Sequence, residues 1–195
     1  SACLIGFRGT ITKVISMTKS SGLTVASLMR QSARYNAHRT AVVFGDQRLT
    51  FSEAWVRGVR MANWLLSMDL NPGDRIGVLE DNSLEAQDCF LGCAIAGLVR
   101  VPLYARNAPE SHVHMLAHTG CRVVIVAEQY QDEILKIRNQ LSDLIEVLVR
   151  DSGYESQLLA SADVDPHVDV SPEDWFVIRH TGGTTGKSKG VAYSL

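Results

Sequence analysis

Long apolar runs are missing from this 195-residue chain. No stretch of about 18 or more hydrophobic residues occurs, so no transmembrane helix is expected. An excess of charge of one sign is missing too. Lys and Arg number 19 and Asp and Glu 21, for a formal net charge of −2. That balance removes the electrostatic reason to expect nucleic acid or an anionic membrane as a partner. Cysteine is scarce: Cys3, Cys89, Cys93 and Cys121 match no common zinc spacing. Cys89 and Cys93 lie four apart in an apolar helical pattern and read as buried small hydrophobes, which fits a reducing, cytosolic setting. No sequence repeat points to a solenoid. What is present, 46% hydrophobic and 21% charged residues, is the composition of an ordinary globular domain with a sizeable core.

Residues 1–22 read poorly as structure. Cys3-Leu4-Ile5 is too short for a signal-peptide core and no basic region precedes it. A flexible leader is expected there, with Met17 a candidate natural start. From residue 23 the chain becomes regular. Leu23–Tyr35 has helical spacing through Val25, Leu28 and Met29. Ala41–Phe44 and Arg48–Thr50 flank Gly45-Asp46-Gln47, which predicts a short β-hairpin. Thr50 and Glu53 form a capping box, and a long helix should follow through Leu66. Asn71-Pro72-Gly73-Asp74 is a turn.

An alternation of strand and helix comes next. Arg75–Leu79, Val99–Leu103, Val123–Val126 and Ile145–Val149 read as strands, and Ser83–Ala96, Pro109–His118 and Glu128–Leu141 as helices. The connections are long enough for crossovers, so the expected class is α/β, a mostly parallel sheet with packed helices. Gly97 and Gly120 sit where left-handed helix caps are needed. The Ser83–Ala96 helix is apolar nearly all round and should be buried on several sides. Residues 151–172 lose the pattern and read as a connecting stretch. Trp175–Ile178 restores a strand.

That strand leads into His180-Thr181-Gly182-Gly183-Thr184-Thr185-Gly186-Lys187-Ser188-Lys189-Gly190. Glycines let backbone N–H groups turn toward an anion, threonine hydroxyls add donors, and two lysines add charge. A triphosphate needs that combination, because its oxygens must exchange water for charge-assisted hydrogen bonds. A Gly/Thr/Ser hairpin turn with solvated lysines is the plain alternative. A Walker A loop is another: Gly186-Lys187-Ser188 fits its end, but Thr181 stands where its first glycine belongs. A Walker loop also opens a helix, whereas Gly190–Tyr193 looks like a strand.

The segment resembles the signature loop of the adenylate-forming superfamily: acyl-CoA synthetases, luciferases and peptide-synthetase adenylation domains. The usual form is Tyr-Thr-Ser-Gly-Thr-Thr-Gly-x-Pro-Lys-Gly. This chain departs from it at His180, Gly182 and Ser188, and Ser188 removes a rigid turn residue. Two further segments are similar to the family's. Leu49-Thr50-Phe51-Ser52-Glu53 resembles Leu-Thr-Tyr-x-Glu, and Ala96-Gly97-Leu98-Val99-Arg100-Val101-Pro102-Leu103 ends a stretch resembling Ala-Gly-x-x-x-Val-Pro-Leu. Three motifs in the expected order are more specific than one loop.

The resemblance implies the N-terminal part of the adenylate-forming ligase fold: a leader over 1–22, an N-terminal α/β subdomain over 23–170, and the strand and phosphate loop over 171–195 opening the remainder. It implies that Thr181, Gly182, Gly183, Thr184, Thr185, Gly186 and Lys189 surround the β- and γ-phosphates of ATP, with Lys187 at a variable position. It also implies a fatty-acyl-CoA ligase that uses ATP, Mg2+ and CoA. The family's adenine segment, ribose-binding aspartate, hinge and catalytic lysine come after the loop. The 195 residues are therefore expected to hold no catalytic residue, to be inactive alone, and to self-associate through surface the remainder would cover. The two competing expectations are a non-catalytic remnant and a Walker-type nucleotide hydrolase. His112, His114 and His118 crowd one helix, with His114 and His118 four apart as metal ligands can be. No acidic third ligand has an obvious place, so surface histidines and no metal are expected.

Overall fold

The computed structural model describes residues 22–181 and 188–194. The elements run α1 (Val25–Tyr35), β1 (Thr40–Phe44), β2 (Gln47–Thr50), α2 (Phe51–Leu66), β3 (Arg75–Leu79), α3 (Ala86–Ala96), β4 (Val99–Pro102), α4 (Pro109–Thr119), β5 (Cys121–Ala127), α5 (Gln131–Ile137), β6 (Glu146–Arg150), α6 (Tyr154–Ala160), β7 (Trp175–His180) and β8 (Gly190–Ser194). Short 3₁₀ turns, Glu128–Tyr130 and Arg138–Gln140, flank α5.

Local chemistry sets the helix ends. At α2 the Glu53 N–H donates to Thr50 Oγ1 at 3.2 Å, and the Thr50 N–H donates back to Glu53 Oε2 at 2.8 Å. That second bond holds the Glu53 carboxyl below its ordinary value. Thr24 and Ser27 form the same box at α1. Helix α3 starts three residues later than the Ser83 expected from the sequence, because Ser83 Oγ accepts the Ala86 N–H and turns the chain before the helix begins. Gly97 and Gly120 end α3 and α4 with φ of 66° and 61°, the left-handed region that a side chain resists.

Strands β1 and β2 form a separate hairpin. The other six make one sheet in the order β6-β5-β3-β4-β7-β8. The first five are parallel, and β8 returns antiparallel to β7. Alternation along β5 shows how the sheet separates two cores. Val123 and Ile125 face the cluster built on α1, α2, α3 and α6, while Val124 and Val126 face the one built on α4 and α5. Helices α3 and α5 thus leave adjacent strands for opposite faces.

Two glycines let α2 and α3 come close. A Cβ on Gly92 would lie 2.3 Å from Met61 Cγ, and one on Gly58 would lie 2.6 Å from Leu91 Cβ. The buried charges in this layer are paired. Asp88 accepts from Arg57 Nε at 2.9 Å, Arg57 Nη2 at 2.7 Å, Gln87 at 2.6 Å and the Tyr154 hydroxyl at 3.0 Å. Burial pushes the Asp88 carboxyl up, against the lowering effect of Arg57. Burial also pushes the Cys93 thiol up to about 12 and Cys121 to about 11. With Cys89 they are buried free thiols, as the sequence suggested for the α3 pair.

The stretch expected to be a plain connection contains α6. Tyr154 and Leu158 are its buried anchors, four residues apart on one face. With only seven residues it shows too little periodicity to stand out in the sequence. Helix α2 also holds the end of α6 and the segment beyond it: Arg60 donates to the carbonyls of Leu159 and Ser161, and Asn63 to those of Ala162 and Val164.

Candidate phosphate-binding site

All five parallel strands end on one edge of the sheet, where α/β proteins bind ligands. A cleft and the end of β7 both lie on this edge. The cleft, of about 440 Å³, lies where the segments after β3, β5 and β6 meet. It is rimmed by Asp81, Glu85, Asp151 and Glu155, with Arg150 beneath. Four carboxylates make it unfavourable for a polyphosphate. The other place is the turn between β7 and β8.

That turn is closed at its base. The Thr181 N–H donates to the Lys189 carbonyl at 2.9 Å, and the Lys189 N–H donates to Thr181 Oγ1 at 3.3 Å. One step down the ladder His180 pairs with Gly190. A side chain at Gly190 would be tight, since a Cβ would lie 3.0 Å from Ile178 Cγ2. Thr181 and Lys189 are therefore brought together as the two ends of the candidate loop, both exposed. Gly182, Gly183, Thr184, Thr185, Gly186 and Lys187 lie outside the described residues.

Residues 190–194 form strand β8, so the segment is strand–loop–strand. A Walker A loop must open a helix whose N-terminus faces the phosphates. The described residues after the loop exclude that helix, and with it the Walker reading.

Helix α4 underlies the turn. His114 Nε2 lies 2.9 Å from the Ser188 carbonyl oxygen, so the ring N–H donates there. The His114 and His118 rings stack at 5.5 Å, and His180 meets them edge-on at 6.5 and 6.3 Å. His180 is buried, and neither ring nitrogen has a partner among the described residues. Burial holds its pKa below the ordinary value, and His118 and His114 act in the same direction. The Tyr104 hydroxyl donates to the His180 carbonyl at 3.1 Å.

His112 departs from the surface placement expected of it. It is fully buried, with Nε2 at 3.0 Å from the Tyr104 carbonyl and Nδ1 at 2.6 Å from the Glu133 carboxylate. Nothing in the helix pattern separates it from its neighbours; the acceptors that bury it come from other elements. Among the described residues no group of three His, Cys, Asp or Glu side chains is arranged to hold a metal ion.

A parallel α/β sheet whose last parallel strand leads through a Gly/Thr/Lys segment into an antiparallel strand is not the strand–loop–helix of a Walker hydrolase. A model of the family "AMP-binding enzyme" matches residues 28–195, and the chain belongs to that family. It is 31% identical over 172 residues to the long-chain-fatty-acid–CoA ligase FadD13 of Mycobacterium tuberculosis, covering 86% of this chain and 34% of that protein. It is 31% identical over 159 residues to a feruloyl-CoA synthase of an Amycolatopsis species, covering 82% and 31%. The fold matches the crystal structure of the N-terminal domain of FACL13 from Mycobacterium tuberculosis with a TM-score of 0.82 and 29% identity, over 88% of this chain and 44% of that one. The chain thus spans about a third of the length of the curated relatives it matches.

Proposed function

We propose that this chain supplies the ATP-phosphate-binding part of an AMP-forming acyl-CoA ligase, with residues 23–170 as its N-terminal subdomain and 171–195 opening the remainder. In the proposed reaction a carboxylate oxygen attacks the α-phosphorus of ATP. The bond to the bridging oxygen breaks, and acyl-AMP and pyrophosphate result. The CoA thiol then attacks the acyl carbon, forms the thioester, and AMP leaves. The carboxylate is a weak nucleophile, so the departing pyrophosphate must be held and its charge offset. Thr181, Gly182, Gly183, Thr184, Thr185, Gly186 and Lys189 take that part, with Lys187 secondary.

The observation that carries this reading is the strand–loop–strand geometry closed by Thr181 and Lys189 at the carboxyl edge of the sheet. Among the described residues no group of three His, Cys, Asp or Glu side chains is arranged to hold a metal ion, so a magnesium ion would arrive with the phosphates of ATP and offset their charge. A fatty acid is the proposed acid. The similarity to FadD13 supports it; that to a feruloyl-CoA synthase supports an aryl acid instead. The remaining steps are proposed to need residues beyond these 195, leaving the isolated chain inactive.

A longer protein carrying this N-terminal part tests the reading. With a fatty acid and CoA it should convert ATP to AMP and pyrophosphate in step with acyl-CoA. ADP and phosphate as products would overturn it. Lys189→Ala should slow adenylation about ten- to a hundredfold, because a charge pair at 4 Å and an effective dielectric of about 20 is worth roughly 4 kcal/mol before solvent reduces it. Acyl binding should change less, and Lys187→Ala should have the smaller effect.

A further inference from the structure

The loop's exit lies at Ser188, a residue whose φ is unrestrained and which stands where the family's usual signature has proline. A proline there would fix φ near −65° and remove conformers from the free chain. Serine leaves that restraint to tertiary contacts. The described structure provides one, because the Ser188 carbonyl sits 2.9 Å from His114 Nε2. A carbonyl only accepts, so the His114 ring carries its proton on Nε2.

Helix α4 is also tied to the loop's entrance. His180, immediately before Thr181, is buried against His114 and His118, and Tyr104 fixes its carbonyl. Entrance and exit therefore rest on one helix, and Thr181 and Lys189 close the gap between them. We propose that His114 is a positioning residue for the phosphate loop: its Nε2–H pins the Ser188 carbonyl and so restrains the loop's exit, as a proline ring would from within the chain. The phosphate role rests on the function proposed above; the latch itself does not.

Amide hydrogen exchange on the 195-residue chain tests the latch, and the ATP products of the longer protein test the phosphate reading separately. Removing the donor while keeping an aromatic ring, with His114→Phe, should speed exchange at Thr181 and Lys189 about tenfold, the scale of one lost hydrogen bond. Exchange at Val124, in the sheet interior, should stay unchanged. His114→Gln places an amide N–H where Nε2 was and should restore most of the protection. Ser188→Pro in the H114F background should lower exchange at both positions again. Equal exchange in H114F and H114Q, or acceleration at Val124 matching that at Lys189, would reduce His114 to a packing residue and overturn the proposal. ADP and phosphate as products of the longer protein would count against the phosphate reading and leave the exchange result to decide the latch.

Discussion

In the α2–α3 contact, Gly58 and Gly92 bring two helices so close that a single methyl has no room, and Ala54, Met61, Ala62, Leu65, Cys89 and Cys93 are fully buried between the layers. In the β7–β8 hairpin every residue of β8 is exposed; β7 sends Ile178 into the core beneath α4, and beyond that the hairpin is held by His114 and His180 and by the Tyr104 hydroxyl. The first region gains its stability from apolar area removed from water, about 25 cal/mol per Å². The second has little such area and relies on hydrogen bonds worth about 0.5–1.5 kcal/mol each. A scaffold can be built the first way because nothing has to enter it. A loop proposed to meet a nucleotide has to leave room for it, so its two ends are set by a few directional bonds on a rigid base.

The largest expected loss falls in the first region. Asp88 is the acceptor that Arg57, Gln87 and Tyr154 share. Asp88→Ala would leave the Tyr154 hydroxyl buried without that acceptor and Arg57 with Glu155 alone. Breaking a buried pair of this kind costs about 3–5 kcal/mol, and the partial exposure of Arg57 points to the lower end. The urea midpoint measures it; a loss below about 1 kcal/mol would mean that Glu155 suffices as the partner. Gly92→Ala should cost somewhat less, about 1–3 kcal/mol, as Met61 moves off its rotamer and the helices separate. Thermal unfolding would register it, and an unchanged midpoint would mean that the close approach is not tight in solution.

The two regions also differed in how far the sequence revealed them. The α2 cap was readable because Thr50 and Glu53 are three residues apart, and the parallel sheet because each crossover carries its own helical pattern. The partners of Asp88 were not, because Arg57 and Tyr154 come from distant parts of the chain and a lone acid on an apolar helix looks like an interruption. Helix α6 was hidden by its two-anchor length. At the loop the residue types pointed to phosphate chemistry, and Thr181 and Lys189 do meet at its base. The platform beneath was only half visible. The i, i+4 pair His114 and His118 could be seen, but joining it to His180 requires knowing that β7 runs beside β4, above α4.

The smallest expected effect belongs to the hairpin and is a dependence on pH. His180 is buried beside His114 and His118, and its folded-state pKa lies below the 6.5 of the free side chain. The unfolded chain therefore binds the proton more readily. Stability from this residue is fully present above about pH 6.5 and is lost as pH falls through the folded value. Asp88 acts with the opposite sign, because its raised pKa lets the folded protein bind a proton earlier than the unfolded one. A single acid titration would mix the two, so the comparison must be between wild type and His180→Phe, which keeps a ring in the site and leaves Asp88 in both proteins. Urea midpoints at pH 7.5 and 5.5 should fall further in the wild type than in the variant. Equal falls would show that His180 is not held neutral by its surroundings, and that the hairpin's docking on α4 is looser than the ring contacts imply.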